Sequence, residues 1–477
     1  MKPLSEVVAR TLSYDPAIEG VTADSRKVGK GFLFAALPGV QADGRAFIPQ
    51  ALAAGAAAIL APEGTEAPIP VITAGDVRRA YALAAARFWA AQPPVVVAVT
   101  GTNGKTSVAT FCRQIFAAVG RSSASLGTLG LQTSTENLTP PGLTTPDAGE
   151  VGRIAADLAG RGVTHLAMEA SSHGLDQRRL DGLKLTAAGF LNLTQDHLDY
   201  HGDMATYRKA KLRLFEALLP PGGTAVLNAD AEDFEAFAAA AASHGQTVMS
   251  VGEAGHDIRL AARVPEPYGQ RLSLQVEGKT YEVRLPLAGA FQASNVLVAA
   301  GLCIAAGETP DQVIGALEHL TGAPGRLQRV GSGPRGGEAY VDYAHTPDGL
   351  RTVLSALRPH VKGRLIVVMG AGGDRDKAKR PLMGAAAAEL ADLAIVTDDN
   401  PRSEDPAAIR RAVLEGAKGA REIGDRREAI RAAVAELAEG DILVVAGKGH
   451  EQSQTIAGVA HFFDDVAETR AALETQP

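Results

Sequence analysis

The run Val95-Val96-Val97-Ala98-Val99-Thr100-Gly101-Thr102-Asn103-Gly104-Lys105-Thr106-Ser107 holds the residues best suited to chemistry. A β-branched apolar stretch ends in Gly-x-x-Gly-Lys-Thr, and a helix-compatible segment, Val108 to Val119, follows. Strand, glycine loop and helix in that order make a polyphosphate cradle. The glycines let backbone N–H groups face the phosphates, Lys105 reaches the β- and γ-phosphates, and Thr106 can hold Mg2+. The helix N-terminus adds positive potential. A plain glycine turn with a surface lysine is the alternative, and it leaves the polar run from Thr100 to Ser107 unexplained.

Further polar clusters follow short apolar runs. In Met168-Glu169-Ala170-Ser171-Ser172-His173-Gly174, Glu169 lies where a hard carboxylate can complete a Mg2+ shell with Thr106. A glutamate at an exposed strand end is the bland alternative. The segment Asn192 to Gly202 packs two histidines, His197 and His201, and two aspartates, Asp196 and Asp199, into one loop. It lacks zinc-type spacing and reads equally as a hydrogen-bond network or as a site. Asp374-Arg375-Asp376-Lys377 and Asp399-Asn400-Pro401-Arg402 are either solvated charged loops or arginines set for bidentate carboxylate recognition.

The elements that position these residues alternate. Gly31 to Ala36 and Ala56 to Leu60 read as strands, and Phe47 to Ala54 and Val77 to Ala90 as helices. Thr164 to Ala170, Ala187 to Leu193 and Gly223 to Asn228 read as buried strands, and so do Leu365 to Met369, Leu393 to Thr397 and Ile442 to Ala446. The pattern predicts α/β architecture with mostly parallel sheets covered on both faces. Arg271 to Gln275 and Thr280 to Leu285 predict an antiparallel hairpin around Glu277-Gly278. Gln92-Pro93-Pro94 and Gly322-Ala323-Pro324-Gly325 read as linkers, giving domains 1–91, 92–325 and 326–477. Ligands sit at the carboxyl ends of strands in open sheets, so the loops from Gly370 to Lys379, Asp398 to Arg402 and Gly447 to Glu451 are expected to converge.

Composition bounds the rest. The chain has 477 residues, enough for about three domains, and 46% are hydrophobic. A net charge of −7 with dispersed Lys and Arg predicts no nucleic-acid partner. No apolar stretch reaches ~18 residues without polar breaks, and Met1 to Leu12 has no apolar signal region, so neither a membrane span nor a signal peptide is expected. The two cysteines, Cys112 and Cys303, sit in apolar helical contexts and read as core. The chain is expected to be a soluble cytoplasmic monomer.

Taken together and in order, Gly101-Thr-Asn-Gly-Lys-Thr106, Glu169-Ala-Ser-Ser-His-Gly174, Asp196-His-Leu-Asp-Tyr-His-Gly202, Asp342-Tyr-Ala-His-Thr-Pro347 and Asp399-Asn-Pro-Arg402 resemble the Mur ligases. The resemblance runs from Asp24-Ser25-Arg26 to Gly447-Lys-Gly-His-Glu451. It implies an N-terminal UDP-binding domain, a central P-loop ATPase with a small antiparallel part, and a C-terminal Rossmann-like domain for the incoming amino acid. It also implies a reaction of peptidoglycan precursor synthesis. The D-glutamate γ-carboxylate of UDP-N-acetylmuramoyl-L-alanyl-D-glutamate attacks the γ-phosphate of ATP, and an amine then displaces phosphate from the acyl phosphate.

The resemblance distributes roles over matching positions. Gly101, Thr102, Asn103, Gly104, Lys105, Thr106 and Ser107 would hold ATP phosphates, and Asn295, Arg326, Asp342 and His345 its adenine and ribose. Read without the family, Asn295 is equally a helix cap. Thr106, Glu169 and His197 fall at metals and phosphates. Lys211 matches a carbamylated lysine that would serve as an oxygen ligand of Mg2+, with Lys209 a nearby rival. Ser25 matches the uridine site, and Thr144, Thr145, Ser171, Gln177 and Arg179 the muramoyl-dipeptide site. Arg375, Asp399, Asn400, Pro401, Arg402, Gly447 and Glu451 match contacts to the third substrate. In this family Asp-Asn-Pro-Arg marks members that add meso-diaminopimelate. The physics agrees, because Arg402 offers a planar fork to a distal carboxylate and would repel the distal ammonium of lysine. A lysine-adding member, another Mur ligase or a folylpolyglutamate-type amide ligase is the alternative. A P-loop switch would need a guanine-reading Asn-Lys-x-Asp, which the sequence lacks.

Overall fold

The computed structural model describes residues 1–39, 42–133, 136 and 143–475. Their contacts gather into two compact units, Met1–Arg259 with Val296–Val313, and Leu260–Asn295 with Ile314–Pro477. Both are α/β, as the alternating pattern predicts.

The first unit opens with a four-stranded parallel sheet, Gly20–Thr22, Phe32–Ala35, Ala58–Ala61 and Val71–Thr73, in that order. Alternation along each strand feeds two cores. Leu33, Ala35 and Leu60 pack on one face, and Phe34, Ala36 and Ile59 on the other. Helix Val77–Trp89 starts at Asp76, whose carboxylate accepts from Arg79 N at 3.0 Å.

The same unit contains seven strands of the large sheet. Their order is Thr247–Gly252, Thr224–Asn228, Ala187–Phe190, Val95–Thr100, His165–Glu169, Ser123–Gly127 and Gly130–Thr133, and only the last is antiparallel to its neighbour. The chain leaves Val95–Thr100 first to one side and later to the other, so a topological switch point falls at the phosphate loop. Register places Glu169 opposite Val99 and Phe190 opposite Thr100, aligning three strand ends. The cysteines are buried here, with Cys303 Sγ 3.9 Å from Cys112 O, in line with a core role.

One carboxylate joins the first sheet's helix to the large sheet's helix Ala148–Gly160. Asp147 caps that helix through Gly149 N at 2.9 Å and accepts the Tyr81 hydroxyl at 2.7 Å. Asp147→Ala loses both bonds and is expected to cost about 2 kcal/mol, whereas Tyr81→Phe costs about 1 kcal/mol. Urea unfolding of the two variants measures the difference, and equal costs would count against the double role.

In the second unit the predicted hairpin forms from Gly269–Val276 and Lys279–Leu285, with Val276 opposite Lys279. Glu277 and Gly278 take φ of 51° and 77°, the positive pair a two-residue hairpin turn needs. A six-stranded sheet follows in the order Gln328–Ser332, Glu338–Asp342, Ile442–Ala446, Leu365–Met369, Leu393–Val396 and Arg421–Glu422. It is parallel except for its first strand. Val367 and Val444 face one core, and Val368 and Val445 the other, so both faces are covered. Among the described residues no helix is long and apolar enough to cross a membrane.

Candidate functional site

In the first unit the phosphate loop is shaped by its glycines. A Cβ on Gly101 would stand 2.8 Å from Leu191 Cβ, and Gly104 takes φ 90° at the start of helix Lys105–Ala118. That helix begins three residues before the sequence suggests, so Lys105 and Thr106 lie in its first turn. The loop is braced from the neighbouring strand end. Thr102 N donates to Asn192 O at 2.9 Å, and Asn103 N to Asn192 Oδ1 at 2.9 Å.

Two lysine amines share one carbonyl. Lys105 Nζ donates to Gly101 O at 2.8 Å and to Thr102 O at 2.8 Å, and Lys211 Nζ donates to Gly101 O at 2.7 Å. Lys211 is 1% exposed and stands 4.5 Å from the Tyr207 ring centroid. Burial, reinforced by repulsion from Lys105, holds its amine well below the usual lysine range. Lys209, the rival from the sequence, is exposed.

Glu169 lies beside the loop at 2% exposure, and its carboxylate is fully engaged. It accepts Thr106 Oγ1 at 3.0 Å, Thr128 N at 2.7 Å and Thr128 Oγ1 at 3.2 Å. Thr128 Oγ1 lies 3.1 Å from Thr144 Oγ1, and Thr145 Oγ1 donates to Glu169 O at 3.0 Å and lies 2.9 Å from Ser171 Oγ. Arg179 continues the network, reaching Thr145 O and Gln177 Oε1, each at 2.7 Å. Gln177 Nε2 donates to the Tyr200 hydroxyl at 3.1 Å. Thus Thr106, Thr144, Thr145, Glu169, Ser171, Gln177 and Arg179 form one connected set. Ser25 is placed apart from it by its contacts. It heads a short 3-10 turn and donates to Gln50 Oε1 at 2.9 Å.

The histidine loop is a ring cluster. His197 takes φ 53°, and its ring lies 4.9 Å from His173 and 6.3 Å from Tyr207. Tyr207 reaches the phosphate loop, with its hydroxyl 3.1 Å from Thr102 Oγ1, and burial pushes it up to about 12. Burial lowers His173, and neighbouring His197 lowers it further. Among the described residues no group of three or more His, Cys, Asp or Glu is clustered to hold a metal. The oxygens of Thr106 and Glu169 still fit Mg2+, an ion that keeps water and shares one or two carboxylates with substrate phosphates.

In the second unit the three strand-end loops converge as expected. Arg402 Nη1 donates to Gly373 O at 2.6 Å, and Arg402 N to Thr455 O at 2.9 Å. Asn400 Nδ2 donates to Glu451 Oε2 at 3.0 Å. Gly447 takes φ 122°, and a Cβ there would stand 2.4 Å from Asp399 Oδ2. Pro401 is buried, while Arg375 is exposed and donates back to Asp374 O at 3.4 Å. Arg380 braces the loop from beneath by pairing with Glu404 at 2.8 Å, which pulls that carboxyl down to about 2.

A second polar group lies nearby in this unit. Asn295 Nδ2 donates to Gln292 Oε1 at 3.1 Å, and Gln292 Nε2 to Arg326 O at 3.3 Å. Arg326 stacks 4.8 Å over Tyr343. Asp342 accepts Leu327 N at 2.6 Å and Ala344 N at 2.7 Å, and burial raises its carboxyl against the pull of Arg326. His345 Nδ1 lies 2.8 Å from Tyr343 O, and burial lowers its imidazole. Asn295 is therefore a side chain held within a polar chain here and not a helix cap.

Several residues of these sites escape the sequence. Thr128, Tyr200, Tyr207, Tyr343 and Lys448 all touch the expected residues. Tyr200, Tyr343 and Lys448 lie inside the motifs quoted above without being singled out there, and Lys448 has the further signal of flanking glycines directly after a buried strand.

Comparison with known proteins agrees with this geometry. The chain matches the Mur ligase catalytic domain over residues 17–89, the Mur ligase middle domain over 99–303 and the Mur ligase glutamate ligase domain over 325–449. It is 68% identical to the UDP-N-acetylmuramoyl-L-alanyl-D-glutamate--2,6-diaminopimelate ligase of Caulobacter vibrioides, over 99% of each chain. It is 52% identical to the ligase of the same name from Brucella melitensis, over 96% of this chain and 94% of the other. A solved structure of a ligase of that name covers 99% of both chains at 37% identity, with a TM-score of 0.77. A folylpolyglutamate synthase from Mycobacterium tuberculosis in complex with ADP shares the fold at 21% identity and a TM-score of 0.63, covering 78% of this chain and 91% of its own. With the phosphate loop, the Glu169 network and the Asp399-to-Arg402 loop all in place, these matches show that the chain belongs to the Mur ligase family of ATP-dependent ligases.

Proposed function

We propose that this chain joins meso-2,6-diaminopimelate to UDP-N-acetylmuramoyl-L-alanyl-D-glutamate at the expense of ATP, in cytoplasmic peptidoglycan precursor synthesis. The observation that carries the choice of amino acid is the convergence of Arg402, Asn400 and Glu451 in one loop cluster. A cation fork and a carboxylate there match the distal carboxylate and ammonium of diaminopimelate, whereas lysine offers no distal carboxylate. The division into 1–91, 92–325 and 326–477 assigns the nucleotide-sugar, ATP and amino-acid roles in that order.

The geometry supports a division of labour for acyl phosphate chemistry. Lys105, in the helix's first turn, meets the β- and γ-phosphates and offsets the repulsion between two anions. Thr106 and Glu169 would hold Mg2+, which neutralises phosphate charge when bound. Ser25 faces the uridine, and Thr144, Thr145, Ser171, Gln177 and Arg179 orient the dipeptide so that its γ-carboxylate lines up with the γ-phosphorus. Asn295, Arg326, Asp342 and His345 take the adenosine. The carboxylate oxygen bonds to phosphorus as ADP leaves, and the incoming amine then bonds to the acyl carbon as phosphate leaves. Mass spectrometry of the nucleotide product tests the reading. A mass gain equal to diaminopimelate minus water supports it, and an unchanged nucleotide contradicts it.

Lys211 suits carbamylation, because only a neutral amine attacks CO2 and this one is held below the usual range. The N–C bond forms as the amine loses a proton, and the product is a carboxylate-like oxygen donor. Activity in CO2-stripped buffer at pH 7 is expected to fall at least about tenfold, on the scale seen when an outer ligand is lost. Bicarbonate should restore it in the parent chain and not in Lys211→Met. Activity indifferent to CO2 would remove the carbamate from the account.

A further inference from the structure

We propose that Lys448 is the positioning residue of the amino-acid pocket, setting the distance between the group that reads the distal ammonium and the group that reads the distal carboxylate. This rests on the diaminopimelate reading above.

Lys448 is fully buried, yet it carries a side-chain amine. Its Nζ donates to Asn400 Oδ1 at 3.2 Å and to Glu451 Oε2 at 3.3 Å. The glycines on either side make this possible. Gly447 and Gly449 take φ of 122° and 58°. A Cβ on Gly447 would strike Asp399, and one on Gly449 would stand 2.7 Å from Tyr343 Cβ. The turn is thus wedged between the Asp399 loop and Tyr343, with the lysine chain between them.

The bonds around Lys448 form a closed set. Asn400 Oδ1 takes Lys448 Nζ and Thr455 N, the latter at 2.9 Å, which turns its Nδ2 toward Glu451 Oε2. Both bonds to Glu451 fall on Oε2, and the Glu451 side chain keeps 34% exposure. The hairpin of Ser453–Ile456 and Val459–Phe462 closes the set. Gln454 Nε2 donates to Asp399 O at 2.8 Å, and Thr455 O accepts Arg402 N at 2.9 Å. Lys448 therefore links Glu451 to Asn400, which stands two residues before Arg402 in the same loop. A buried ammonium needs a partner of opposite charge, so swinging Glu451 away from Lys448 is costly.

Two groups at fixed separation read a stereocentre when the carbon chain enters from a third fixed direction, here the reacting end of the amino acid. The distal carbon of diaminopimelate bears an ammonium and a carboxylate, and exchanging their places is the difference between the meso and LL isomers. Glu451 and Arg402 held at one spacing accept one arrangement. Without Lys448, Glu451 and Asn400 can swing, while Arg402 keeps its own bonds to Gly373 and Thr455.

The test is Lys448→Met, which keeps length and removes charge. Initial rates are measured with meso- and LL-diaminopimelate, and KM is measured for each substrate. The proposal expects the meso-to-LL preference in kcat/KM to fall at least tenfold and KM for meso-diaminopimelate to rise at least tenfold, with KM for ATP within twofold of the parent. An unchanged isomer preference, or equal rises in both KM values, overturns it. Should the single variant not fold, Lys448→Ala, which leaves Glu451 in place and opens room for water beside the Asn400 and Glu451 oxygens, reads the same isomer ratio, where a retained preference is again the contradicting result. A parent chain that forms no product with either isomer would instead sink the diaminopimelate reading, so the two failures are told apart.

Discussion

Lys105→Ala is expected to lower single-turnover phosphate release about a thousandfold while leaving thermal unfolding nearly unchanged. The loop explains both halves. Lys105 and Lys211 each donate to Gly101 O, at 2.8 and 2.7 Å, so in the unmodified chain the charge of Lys105 crowds the Lys211 amine. Such crowding is unfavourable until an anion enters, and a triphosphate supplies that anion. Removing Lys105 removes charge stabilisation where phosphoryl transfer concentrates negative charge, yet it relieves repulsion in the free protein. Alanine is also a good residue in a first helical turn. Rapid-quench phosphate release together with a thermal melt checks the split. A loss below tenfold would mean that the lysine is not at the phosphates.

Arg402→Ala is expected to raise KM for diaminopimelate about a hundredfold and KM for ATP less than twofold, because a truncated charge pair in a desolvated site costs 2–5 kcal/mol, roughly. Arg402 stands at φ 54°, an unfavourable backbone for a non-glycine residue, and is kept there by Gly373 O and Thr455 O. Such placement gives the guanidinium a fixed direction. Arg402→Lys should recover little, since a point charge lacks the planar fork. Steady-state kinetics with each substrate varied in turn measures this, and comparable rises in both KM values would place Arg402 outside the amino-acid pocket.

What was legible in the sequence follows from locality. Phosphate loop, strand ends and hairpin turn are written in contiguous residues, because backbone N–H groups, β-branched runs and the Glu277-Gly278 pair act over a few positions. The convergence of the loops at Gly373, Arg402 and Glu451 was legible too, since parallel strands send their carboxyl ends to one edge. Other features depend on pairings far apart in the chain. Thr128 meets Glu169 across 41 positions, and Lys448 meets Asn400 across 48. Thr128 carries no local signal, and the glycines flanking Lys448 do not say which partner it meets. The resemblance assigns Lys211 over Lys209, but the difference in burial between them needs the fold, because both lie on helix Met204–Arg213 and only its packing buries one of them. The π-helical turn at Leu214–Leu218 that follows has no signal in apolar spacing.

The most direct test of the central claim is phosphate release from ATP with UDP-N-acetylmuramoyl-L-alanyl-D-glutamate, Mg2+ and either meso-diaminopimelate or L-lysine. The account predicts strong release with diaminopimelate and at most a few per cent of that rate with lysine. Equal release with lysine would contradict the role given to Arg402, and no release with either would contradict the proposed reaction itself.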